Sequence, residues 1–104
     1  MQDFNVWEQR ARELKEAGRP GDALKIYLVM AGGDPSLDAG YLGLRIGECY
    51  EKLGDPHSAR FWYGRAVEEN PTIDRYIAAR ARLEHLGIDD LLKLGPTVTA
   101  RRVG

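Results

Sequence analysis

Residues 41–71 read YLGLRIGECYEKLGDPHSARFWYGRAVEENP, with Gly54 and Pro56 as punctuation near the middle and Pro71 at the end. Before the punctuation, Ile46, Cys49, Tyr50 and Leu53 follow the three-and-four rhythm of a helix with one apolar stripe. After it, Ala59, Trp62, Tyr63 and Ala66 do the same. A glycine behind the first stripe supplies the left-handed cap that side-chain-bearing residues adopt poorly. Proline two residues later fits the first turn of a new helix, where a missing N–H costs nothing. The stretch predicts two helices folded back on one another.

The pattern recurs upstream. A shift of 36 residues lays Ala11 on Gly47, Leu14 on Tyr50, Gly18 on Gly54 and Pro20 on Pro56, then Ala23 on Ala59, Tyr27 on Tyr63 and Pro35 on Pro71. Small, aromatic, turn and proline positions in one register are the signature of a repeat architecture. Trp7, Ala11 and Leu14, then Leu24, Tyr27 and Leu28, carry the matching stripes. The whole chain then reads as all-α, with helices at about 3–17, 20–31, 37–53, 56–69 and 72–86 and a short sixth at about 89–94, capped by Asp89. Neither hairpin can bury its stripe alone, so the hairpins are expected to stack.

These residues resemble the tetratricopeptide repeat family, whose pattern runs tryptophan, leucine, glycine, tyrosine, then alanine, phenylalanine and proline. The second unit carries Ile46, Gly47, Tyr50, Gly54, Ala59, Tyr63, Ala66 and Pro71 at the family's spacing, with Gly43 where tryptophan is preferred. The first keeps Trp7, Ala11, Leu14, Gly18, Ala23, Tyr27 and Pro35, with Arg10 in place of leucine and Met30 in place of a small residue. The family's 34-residue period is stretched to 36, and residues 36–40 are expected to absorb the difference as a longer turn or an extra half turn of helix. Past Thr72, Tyr76, Leu83, Leu86 and Gly87 look like the first helix of a third unit. The resemblance implies stacked antiparallel helical hairpins in a right-handed solenoid, occupying 1–95, with repeats at about 4–37 and 40–73 and capping helices at about 72–94. Residues 96–104, which end on Arg101 and Arg102, are expected to form a flexible basic tail.

By the same resemblance, the first helices of successive hairpins line a concave groove that holds a peptide or partner protein. Here that groove would show Asn5, Glu8 and Arg12, then Tyr41, Arg45 and Glu48, then Arg75, Ala78 and Arg82. Four arginines against two glutamates suggest a partner with acidic groups, since guanidinium meets carboxylate in two-point geometry. Arg12, Arg45 and Arg82 are the expected contacts. One subgroup of the family grips terminal carboxylates with lysine, asparagine and arginine. The matching places here hold Glu8, Arg12, Arg45, Arg75 and Ala79, and Glu8 would repel such a ligand. The implied role is an adaptor or scaffold, with no cofactor.

Composition bounds the alternatives. The chain has 104 residues, enough for one core, with 43% hydrophobic and 30% charged side chains, which is ordinary for a folded domain. Fifteen basic residues nearly cancel sixteen acidic ones, so no global field favours nucleic acid or an anionic membrane. The longest run without charge, residues 26–33, is far below the roughly 20 apolar residues of a membrane span. Asp3, Glu8 and Arg10 stand where a secretory leader would be apolar, and Cys49 is the sole cysteine, so the cytoplasm is the expected compartment.

Catalytic constellations are not visible. His57 and His85 have no acid, cysteine or second histidine at metal-ligand or triad spacing. Cys49 falls on the apolar stripe as a packed thiol, and Glu68–Glu69 and Asp89–Asp90 are adjacent pairs that diverge on a helix. No enzyme and no metal site are expected. Gly40, Gly43 and Gly47 share one helix face, where each costs about 1 kcal/mol relative to alanine, so close approach of a neighbouring backbone is expected, at least at Gly47. A nucleotide loop is not, for want of a preceding strand and a lysine–serine pair. Phe61, Trp62 and Tyr63 cannot all face one side, so at least one should lie near the surface, under the capping helix or as a homodimer or partner contact.

Overall fold

The computed structural model describes residues 4–86. Among them are five helices and no strand: α1 (Phe4–Glu16), α2 (Pro20–Gly32), α3 (Tyr41–Lys52), α4 (Pro56–Glu69) and α5 (Asp74–Arg82). The expected sixth helix, the Asp89 cap and the basic tail lie outside the described residues.

The two glycine–proline turns are built alike. Gly18 and Gly54 both sit at φ 80°, and in each the next N–H reaches back five residues, Arg19 to the Leu14 carbonyl at 2.8 Å and Asp55 to the Tyr50 carbonyl at 2.9 Å. This bond closes a helix C-terminus whose carbonyls would otherwise lack partners. Pro20 and Pro56 then open α2 and α4. Asp55 also caps α4 by accepting from the Ser58 N–H at 3.1 Å, whereas Arg19, at the matching place, offers no side-chain cap and pairs with Asp22 instead.

Each helix packs on the one before it and the one after it. Two apolar clusters result. Ala11, Leu24, Tyr27, Met30, Leu42, Ile46 and Cys49 fill the space among α1, α2 and α3. Leu44, Ala59, Tyr63, Ala66, Val67, Tyr76 and Leu83 fill that among α3, α4 and the α5 region. Helix α3 serves both, and its glycines explain how. A Cβ on Gly43 would stand 2.9 Å from the Trp62 carbonyl oxygen, and one on Gly47 would collide with the Tyr63 ring, 2.6 Å from Cδ1. Gly43 therefore admits the α4 backbone to near contact, while Gly47 makes room for the Tyr63 ring.

Three expectations need correction. The third helix begins at Tyr41 and not near residue 37. Leu37, Asp38 and Ala39 have φ of 55°, 54° and 54°, and Gly40, at 89°, is the N-cap. These residues absorb the two-residue excess as a left-handed turn. The Asp34 carboxylate holds it by accepting from the Ser36 N–H, the Ser36 hydroxyl and the Asp38 N–H, and Leu37 anchors it by burial. The fifth helix ends at Arg82, after which Leu83, Glu84 and Leu86 bond back three residues in tighter turns. Leu53, expected on the buried stripe, is 48% exposed, because α3 has ended one residue earlier and the cap turns it outward. Of the aromatic triplet, Tyr63 is buried, Trp62 is half-buried against the first cluster and Phe61 is 58% exposed.

Candidate functional site

Helices α1, α3 and α5 are laced together by two polar networks that run through the expected groove residues. In the first, the Tyr41 hydroxyl donates to Glu8 at 2.8 Å and accepts from the Arg45 Nε at 2.8 Å. Arg45 also donates to Glu48 Oε1 at 2.8 Å, and Lys15 reaches the same oxygen from α1, again at 2.8 Å. Arg12 closes the upstream end on Glu8 at 3.4 Å. In the second, Glu51 accepts a two-point grip from Arg82, at 2.5 and 3.2 Å, and a hydrogen bond from the Tyr63 hydroxyl at 2.5 Å.

The electrostatics follow from these contacts. Burial works against ionising Glu48, but the hydrogen bonds from Lys15 and Arg45 outweigh it and hold the carboxyl below its ordinary value of 4.5. Arg82 does the same for Glu51, with Tyr63 adding to it against a smaller burial effect. Burial pushes the Tyr27 and Tyr63 phenols up, with Glu8 and Glu51 adding to the shift, so both remain hydroxyl donors. Burial likewise pushes up the Cys49 thiol, which is fully buried and packed as a small apolar group.

Two hollows open along this face. The larger, about 630 Å³, lies over Leu44, Tyr63, Ala78 and Ala79, and is rimmed by Lys15, Lys52, Arg75 and Arg82 against Glu48 and Glu51. The smaller, about 210 Å³, takes in Asn5, Glu8, Tyr41, Phe4, Met30, Asp38 and Leu42. Of the nine residues expected in the groove, Glu48, Arg75, Ala78 and Arg82 thus meet at one hollow and Asn5, Glu8 and Tyr41 at the other. Arg45 and Arg12 belong to the network that links them.

The cations near this face are not equally paired within the chain. Arg12, Arg45 and Arg82 are each committed to a carboxylate of this chain. Arg75 and Lys52 have no ion-pair partner among the described residues, and Arg75 lies 5.7 Å from the centre of the Tyr76 ring. Lys15, Glu51 and Lys52 were missed. Lys15 and Glu51 stand three residues beyond Arg12 and Glu48, so the helical spacing that nominated those residues also reaches them. Tyr63 was missed for another reason: it belongs to a second helix of a hairpin and reaches the groove only because Gly47 lets it through.

No group of three or more His, Cys, Asp or Glu side chains able to hold a metal ion occurs among the described residues, and no helix there is long and apolar enough to cross a membrane. Comparison with protein-family models, curated proteins and solved structures gives no match to this chain.

Proposed function

We propose that this chain is a protein-interaction module of the tetratricopeptide type, with antiparallel helical hairpins stacked as a short solenoid, and that it acts as an adaptor or scaffold and not as an enzyme. Its ligand is an acidic peptide segment lying over the larger hollow. The observation that carries this reading is the rim of that hollow, where four cations face two carboxylates and two of the cations, Arg75 and Lys52, have no ion-pair partner among the described residues. The apolar floor of Leu44, Tyr63 and the two alanines gives a side chain beside the acidic group something to cover.

Peptides selected from a random displayed library should be enriched in aspartate or glutamate. Binding of a selected peptide, measured by calorimetry, should weaken about tenfold or more in Arg75→Glu and in Lys52→Glu, and should weaken with added salt. Selected peptides without acidic residues, or unchanged affinity in both variants with helicity intact, would overturn the reading. A second reading, a homo-oligomer joined through its aromatic face, is favoured by the exposure of Phe61. Light scattering on the eluting protein separates the two, since only the second requires a mass above one chain.

A further inference from the structure

A second charged cleft, of about 270 Å³, lies between α4 and α5 and shares no lining residue with the groove. Helical spacing builds one wall of it: Phe61, Gly64, Arg65 and Glu68 fall three and four apart on α4, with Arg60 beside them, and Arg80 comes from α5. Its cations are poorly satisfied. Arg65 stands 4.0 Å from Glu68, Arg60 3.6 Å and Arg80 3.7 Å from Glu84, all longer than a charge-assisted hydrogen bond. The Nε atoms of Arg60 and Arg80 are withdrawn from solvent and have no hydrogen-bond partner among the described residues. A buried donor on a charged group costs free energy until an acceptor is supplied.

The cleft also holds space that the packing does not use. Gly64 lies inside α4, where glycine is unfavourable relative to alanine, and a Cβ built on it meets no described atom within 4 Å. The room at Gly43 and Gly47 is taken by α4, whereas the room at Gly64 opens into the cleft. Beside it, Phe61 leaves more than half its surface open. The ligand follows from what is unsatisfied. A carboxylate offers two oxygens in one plane, and Glu84, placed between Arg60 and Arg80, reaches neither within hydrogen-bonding distance. A phosphate monoester carries about two negative charges at neutral pH and three acceptor oxygens pointing in different directions. An aromatic ring attached to it can pack on Phe61, offset or edge to face. We infer that the α4–α5 cleft binds a phosphate monoester carried on an aromatic ring, the chemistry of a phosphorylated tyrosine side chain in a partner peptide. The phosphoryl oxygens accept from Arg60, Arg65 and Arg80, the ring rests on Phe61 over Gly64, and Glu84 is the internal carboxylate that the ligand displaces. This inference is independent of what the groove binds.

The test uses the full chain with phenyl phosphate as the probe and reads the Nε–Hε signals of Arg60 and Arg80 by nuclear magnetic resonance. Both signals should shift saturably, and phenyl phosphate should bind about tenfold or more tighter than inorganic phosphate or benzoate. Binding should weaken about tenfold or more in Arg80→Gln, which removes a donor, and in Gly64→Leu, which fills the open space, and should tighten in Glu84→Gln. Equal affinity for inorganic phosphate would leave a bare anion site and overturn the inference. Shifts centred on Lys52 and Arg75 would also overturn it, by placing the probe in the groove. So would an affinity unchanged in both Arg80→Gln and Gly64→Leu with helicity intact, or binding to phosphoinositide vesicles with no response to phenyl phosphate, which would assign the arginines to a membrane.

Discussion

Glu48 concentrates the charge logic of the molecule in one carboxylate, since Lys15 from α1 and Arg45 from its own helix donate to the same oxygen. Its folded-state affinity for a proton is lower than in the unfolded chain, as is that of Glu51. The stability these carboxylates confer is therefore complete above the ordinary value of 4.5 and is lost as pH falls through the lower folded values. Urea midpoints taken from about pH 6 to about pH 3 should fall in the wild type, and the fall should be shallower in Glu48→Gln. The same network engages Arg45, which donates to Tyr41 and Glu48. Read from spacing, Arg45 is an expected contact for a partner. In the structure, Arg45→Glu sets a third carboxylate beside Glu8 and Glu48 and should cost about 1–3 kcal/mol in chemical denaturation. A stability unchanged by that substitution would show that the network carries no energy. Spacing revealed which residues share a face, but the pairing among them depends on how far apart two helices lie, and no single helix encodes that distance.

At the level of elements, glycines that look alike in sequence do opposite work. Gly47 and Gly64 both lie inside helices, yet a Cβ at Gly47 meets the Tyr63 ring while one at Gly64 meets nothing within 4 Å. Gly47→Ala should lose about 1–3 kcal/mol in spite of its better helix propensity, because Tyr63 and the Glu51–Arg82 pair behind it must shift. Gly64→Ala should gain about 0.5–1 kcal/mol. Equal shifts of the melting temperature in the two variants would sink the close-approach account. The turn before α3 makes a related point. Ala39, exposed at φ 54°, sits where a side chain is disfavoured by roughly 1–2 kcal/mol, so Ala39→Gly should raise stability by up to about 1 kcal/mol. A loss on thermal or urea unfolding would mean that the left-handed turn is not the one adopted. Leu37, Asp38 and Ala39 carry no turn signature of the glycine kind, which is why the sequence alone let the helix run through them.

Across the whole molecule, α3 is the shared wall of both apolar clusters, with Leu42, Ile46 and Cys49 on one side and Leu44, Gly43 and Gly47 on the other. Loss of packing in one cluster should therefore be felt in the other. Ile46→Ala, at a fully buried site, should cost about 2–5 kcal/mol, and native-state hydrogen exchange should accelerate in α4 as well as in α1. Acceleration confined to α1 and α2 would show two independently folding hairpins.

By itself the sequence determined the helical character, four of the five helix starts to within two residues and the two glycine–proline turns, because caps, turns and apolar periodicity are local and act within a few residues. It also nominated the groove face, since residues three and four apart share a helix side whatever the helix packs against. Only the tertiary structure decided which groove cations are already neutralised, that Tyr63 passes through the gap at Gly47 to reach Glu51, and that Leu37 to Gly40 turn left-handed. Each of these depends on groups that meet across helices or on burial that offsets backbone strain, and such distances are fixed only when the stack closes.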